Sequence, residues 1–113
     1  MKVTSNVIGP FVGIGILLLQ VSNLQVSNNQ VNASYAGIWM YRGSGTNVIN
    51  STIANSQYGL VNEAPLGGNV NSISGNTVNE AVIGMVLYNV DGSGDFVAPN
   101  SFCNCATTIS PTF

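Results

Sequence analysis

Apolar residues in this chain recur in short runs that alternate with polar ones. No stretch keeps the i, i+3, i+4, i+7 spacing of an amphipathic helix. Asn, Gly, Ser, Thr and Val, all weak helix formers, are spread along its whole length. The stronger pattern is long-range. Val26, Val48 and Ile73 are spaced by 22 and 25 residues, and the same intervals separate Val31, Ile53 and Val78. Gly37, Gly59 and Gly84 repeat them again, each followed by an apolar residue, Ile38, Leu60 or Met85. A step of 24 residues aligns Val7, Gly13 and Ile14 with Val31, Gly37 and Ile38. A further step of 24 aligns Val97, Asn100 and Phe102 with Ile73, Asn76 and Val78. Columns that share one uneven spacing define a repeat of about two dozen residues, in four to five copies.

Each copy predicts three short strands, at residues 24–27, 30–32 and 36–41 in the second copy. Asn28-Asn29 separates the first two strands, and Asn50-Ser51 and Gly75-Asn76 replace it in later copies. Asn and Gly tolerate a left-handed backbone, so Asn28, Asn50 and Gly75 predict a tight bend. Asn29, Ser51 and Asn76 would then stack side chain over side chain and hydrogen-bond along the stack, at a strand spacing of about 4.8 Å. A single coil of this kind cannot bury its apolar face, whereas stacked coils share one continuous core.

Three motifs, Asn29-Gln-Val31, Gly37-Ile-Trp-Met40 and Val48-Ile-Asn50, resemble the repeats of right-handed parallel β-helix proteins, the pectate-lyase-like solenoids. The resemblance covers residues 3–110. It implies an all-β fold, a single-stranded right-handed parallel β-helix of four to five coils, with 22–25 residues per coil. That family holds polysaccharide lyases, glycoside hydrolases, epimerases, phage tailspikes, adhesins and non-catalytic repeat domains. The resemblance therefore bears on fold far more than on function.

Alternation along the longest strand sends Ile38 and Met40 inward and Trp39 and Tyr41 outward. One outward column then reads Gly15, Trp39, Val61, Val86, and the next reads Leu17, Tyr41, Glu63, Tyr88. Large apolar residues on a solvent-facing sheet fit scattered surface hydrophobics, a platform on which sugars stack, or a contact between subunits. The expected ligand-binding or interface set is Leu17, Trp39, Tyr41, Val61, Glu63, Val86 and Tyr88.

Charge narrows the chemistry. The chain has two basic and four acidic residues among 113, and no histidine, so amides and hydroxyls from 16 Asn and 12 Ser keep its surface wet. One Arg and one Lys exclude a basic nucleic-acid groove. Without histidine, and with cysteines only at positions 103 and 105, a zinc site or a His-based triad is excluded. A β-helix glycosidase needs two carboxylates that converge. Glu63 and Asp91, with Arg42 one coil away, form the best catalytic constellation on offer, and the weight of the residues leans against an enzyme. Asp91-Gly-Ser-Gly-Asp95 alternates acid and glycine in a faintly calcium-like way, but it lacks further ligands and reads as a glycine-rich turn. No cofactor is expected. Cys103 and Cys105 are too close in a strand for an unstrained bridge and read as free thiols.

Residues 1–113 form one domain, complete or a piece of a longer chain, with 97–113 as an irregular C-terminal coil where Pro99 takes the bend position. Met1-Lys2 and the apolar run at residues 11–19 resemble the start of a signal peptide. The register of Val7, Gly13 and Ile14 with later copies favours a first coil instead. The run is too short and too broken by Gly and Pro to span a membrane. The expected function is a non-catalytic structural or carbohydrate-binding module of a secreted, extracellular or surface protein. The alternative is a polysaccharide lyase or glycoside hydrolase working on the outer face of the long strand. Its expected partners are a second copy in a homo-oligomer, flanking domains, or a polysaccharide.

Overall fold

In the computed structural model, residues 2–63, 71–88, 96–97 and 100–112 are described, and the chain winds as a parallel β-solenoid. The first coil carries strands β1 (Lys2–Thr4), β2 (Val7–Phe11) and β3 (Ile14–Leu19). The second carries β4 (Gln25–Ser27), β5 (Gln30–Ala33) and β6 (Ala36–Tyr41), and the third β7 (Asn47–Ile49), β8 (Thr52–Ala54) and β9 (Tyr58–Glu63). Then follow β10 (Ser72–Ser74), β11 (Thr77–Asn79), β12 (Ile83–Tyr88), β13 (Phe96–Val97), β14 (Ser101–Cys103) and β15 (Thr107–Thr112). Stacking the coils makes three five-stranded sheets: A from β1, β4, β7, β10 and β13; B from β2, β5, β8, β11 and β14; C from β3, β6, β9, β12 and β15. All strand pairs are parallel, and no helix occurs among the described residues.

The three-residue strands of sheets A and B each point one β-branched residue inward, the type that packs best on a pleated surface, except β14, which has Phe102 there. Val26, Val48 and Ile73 form one core column, and Val31, Ile53 and Val78 another, all of them buried. Ile38, Leu60 and Met85 stack across sheet C as expected, with Leu18 and Met40 beside them. Asn62 also stands buried in that second column, opposite Met40 and Leu87, a polar residue among apolar ones.

Glycine recurs at the head of the sheet C strands because the wall is too close for a side chain. A Cβ on Gly37 would collide with the Ile53 side chain and lie 2.7 Å from the Gly59 carbonyl oxygen. Gly15 and Gly59 face the same obstruction from Val31 and Val78.

The corner between sheets A and B follows the expected bend. Asn28, Asn50 and Gly75 have φ of 57°, 54° and 68°, and Ser5 joins them at 58°. The next residue in each coil builds a buried polar ladder. Backbone N–H groups of Asn6, Asn29, Ser51 and Asn76 donate to the side-chain oxygens of Asn29, Ser51, Asn76 and Asn100, at 3.0, 3.3, 2.9 and 3.0 Å. The amides of Asn29 and Asn76 donate back to the carbonyls of Val3 and Val48. The steps of this ladder are 23, 22, 25 and 24 residues, which measures the coils. Asn71 repeats the device at the corner between sheets C and A, accepting from Thr46 N–H and donating to the Gly43 carbonyl. Each such side chain satisfies backbone groups that would otherwise be buried without a partner.

The first coil departs from the expected register. Ile8, not Val7, pairs with Val31, and Ile16, not Ile14, pairs with Ile38. Gly15 rather than Gly13 therefore stands in the glycine column, and Val7 is 77% exposed. The first coil is one residue shorter than expected already at β2, where Val7 pairs with the outward-facing Gln30, and a bulge between Ile8 and Phe11 shortens the offset by one more residue before β3. At the other end, β13, β14 and β15 keep the parallel pairing. Pro99 lies outside the described residues, and Asn100 restores the ladder directly after it.

Candidate functional site

The outer face of sheet C carries most of the large side chains that sequence reasoning picked out. The corrected first-coil register shifts both outward columns by one alternation in that coil. They read Leu17, Trp39, Val61, Val86 and Leu19, Tyr41, Glu63, Tyr88. They do not form a uniformly exposed stripe. Leu17 and Leu19 are exposed, Trp39, Tyr41, Glu63 and Val86 are half-buried, and Val61 is only 5% exposed. The Tyr88 side chain lies outside the described residues.

Two residues that column reading missed complete the site. Tyr35 sits in the corner just before β6, and Tyr58 opens β9, where the coil before has Ala36. Tyr35 stacks on Trp39 with ring centroids 5.8 Å apart and planes 25° from parallel. Tyr58 meets Tyr35 edge-on at 5.5 Å and Trp39 edge-on at 6.5 Å. Offset stacking and edge contacts of this kind stabilise a ring cluster beyond its buried area. The indole N–H of Trp39 donates to Glu63 Oε1 at 3.0 Å. Two rings and one hydrogen bond thus fix the plane of the single tryptophan, while Tyr35 keeps 41% of its surface in solvent.

Of the catalytic candidates, only Glu63 and Arg42 are among the described residues. Glu63 Oε1 is engaged by the indole, and no ion pair joins Glu63 to Arg42, whose side chain is exposed from a corner residue at φ 58°. Arg42 instead donates its backbone N–H to the Glu63 carbonyl at 2.9 Å, which holds the end of β9 in place. Asp91 and Asp95 lie outside the described residues. Glu80 stands at the corner before β12, whereas Glu63 pairs with Tyr88 at the far end of that strand. The five steps from Ile83 to Tyr88 already put about 16 Å between those ends, beyond the roughly 5–9.5 Å of a glycosidase carboxylate pair. Cys103 is an exposed free thiol, and Cys105 a half-buried one whose Sγ lies 3.5 Å from the Cys103 carbonyl oxygen.

What this arrangement offers is a cluster of three mutually packed rings with one carboxylate, Glu63, bound at its edge. Compared with protein-family models, with curated proteins and with solved structures, the chain matches none of them. The parallel β-solenoid stands on its own pairing and register, and no family match extends it to the pectate-lyase-like group. No helix of the described residues is long and apolar enough to cross a membrane.

Proposed function

We propose that this chain is a non-catalytic β-helix module of a secreted or cell-surface protein that binds uncharged carbohydrate on the outer face of sheet C. The observation that carries the reading is the pinned cluster of Tyr35, Trp39 and Tyr58. Flat rings held in advance lose little entropy when the apolar face of a sugar stacks on them. The Glu63 carboxylate bound to the indole puts a negative charge at the edge of the rings, which would repel an acidic glycan and so suits a neutral one. A lyase or hydrolase reading draws no support from the described carboxylates, Glu63 and Glu80, which stand at opposite ends of the strand direction.

Trp39 is the sole tryptophan, so its emission reports the site directly. Titration with neutral and acidic polysaccharides should change that emission saturably for neutral chains, and reducing-end and unsaturated-product assays, with and without calcium, should stay flat. Turnover that disappears in Glu63→Gln would replace this reading with the enzymatic one. A lateral homo-oligomer through the same face, with Leu17 and Leu19 at its border, is the competing use of these side chains. Sedimentation velocity decides between them: a monomer at high concentration favours the sugar.

A further inference from the structure

The bulge in β2 has made a second concave surface, on a different sheet from the aromatic cluster. Between Ile8 and Phe11 the strand leaves its register, and Gly9, at φ 93°, presses so closely on the Asn32 carbonyl oxygen that no Cβ would fit there. Pro10 follows it outward, and the two residues wall a groove of about 390 Å³ over the outer face of sheet B. Val7, exposed because it pairs with Gln30 on the outward-facing row of sheet B, forms one side. Gln30, Asn32 and Thr52, from the next two coils, supply the polar side.

The lining has a specific chemistry. None of its residues is charged. Among the described residues, the Gln30, Asn32 and Thr52 side chains have no hydrogen-bond partner, so two amides and one hydroxyl are available to an occupant. Val7, next to Gln30 in the same row, and Pro10 offer aliphatic surface beside them. A few convergent polar groups on a mainly apolar surface is the usual make-up of a small-molecule site, and this volume is at the small end of the usual range of roughly 300–1,000 Å³.

We propose that this groove binds one uncharged sugar ring, with its C–H face on Val7 and Pro10 and its hydroxyls on Gln30, Asn32 and Thr52. A ring of that kind matches both sides of the groove at once. A carboxylate or ammonium would lose water there without gaining a counter-charge. The site is separate from the face of sheet C and does not depend on what that face binds.

The test is a ¹H–¹⁵N NMR titration of the whole chain with methyl α-glucopyranoside, methyl β-galactopyranoside and N-acetylglucosamine, and with glucuronate as the charged counterpart. At least one neutral sugar should shift the side-chain amides of Gln30 and Asn32 and the backbone amides of Ile8 and Gly9. Glucuronate should bind at least fivefold more weakly. Thr52→Val and Gln30→Ala should each weaken the neutral sugar about fivefold, the loss of one hydrogen bond. Ala54→Trp, which fills the groove, should abolish the shifts; if that variant does not fold, the Thr52→Val, Gln30→Ala double variant takes its place. Trp39→Ala should leave the groove shifts intact. Groove resonances that stay still with every sugar, or that follow Trp39→Ala instead of Ala54→Trp, overturn the proposal. Trp39 resonances that still move in that case leave the sheet C reading standing.

Discussion

The indole of Trp39 reaches Glu63 diagonally on the next coil: the hydrogen bond is 3.0 Å long, although Trp39 is paired with Val61 and Glu63 with Tyr41. Diagonal neighbours in a sheet are within reach only of long or aromatic side chains. The consequence is a tryptophan whose ring cannot turn without breaking both this bond and its stack on Tyr35.

Replacing Glu63 separates the bond from the charge. Glu63→Gln keeps an acceptor oxygen and should leave tryptophan emission and acrylamide quenching close to those of the parent. Glu63→Ala should shift emission to the red and raise quenching. Its cost in urea unfolding should be about 1 kcal/mol or less, since the carboxylate is half-exposed and a bond to a charged partner is screened there.

The ladder at the corner between sheets A and B is a second place where one side chain does several jobs. Asn76 accepts from Ser51 N–H and donates to the Val48 carbonyl, and it is buried. Asn76→Ala leaves both groups unpaired inside the protein and should cost about 3 kcal/mol in urea unfolding. Asn76→Ser should cost less, because Ser51 already fills the same position one coil earlier.

Backbone conformation makes Asn50 a sharper probe than its exposure suggests. It holds φ 54°, which a β-branched residue resists. Asn50→Val should destabilise by about 1–2 kcal/mol, whereas Asn50→Gly should be nearly neutral, as Gly75 occupies the equivalent bend. Equal stability of the valine variant and the parent would contradict the geometry of this corner.

In the core, Ile53→Ala should cost about 2–4 kcal/mol by thermal or urea unfolding, because the cavity opens to the coils on both sides. Gly37→Ala should cost at least as much as a typical overpacking change, about 1–3 kcal/mol, since its new methyl meets Ile53 and the Gly59 carbonyl. The two changes touch the same place, so Ile53→Ala should partly relieve Gly37→Ala when combined.

How far the sequence could be read depended on whether its columns admitted one alignment or two. Val26 and Ile73 stand as lone β-branched residues between polar neighbours, and their spacing picks Val48 over the adjacent Ile49, so only one register buries all three. In the first coil, Val7 and Ile8 are both apolar, Gly13 and Gly15 are both glycine, and Ile14 and Ile16 match Ile38 equally well. A coil one residue short at β2 and a bulge between Ile8 and Phe11 then decide the register, and nothing local in the sequence reports either. The aromatic site was half legible for a related reason. Trp39 and Glu63 stand in outward columns, but Tyr35 sits in a corner outside the strand and Tyr58 replaces an alanine. Ring contact between them depends on side-chain direction, which a column does not carry. Asn6 was readable once the coil length of 23 was known, because it then aligns with Asn29.

Affinity electrophoresis tests the central claim most directly: the parent chain and Trp39→Ala are run in native gels cast with neutral or with acidic polysaccharide. The parent should be retarded in at least one neutral gel, Trp39→Ala should run freely in it, and the polysaccharide recovered from the gel should be unshortened. Equal mobility of the two proteins in every gel, or shortened polysaccharide wherever the parent has passed, would contradict a non-catalytic sugar-binding face on this β-helix.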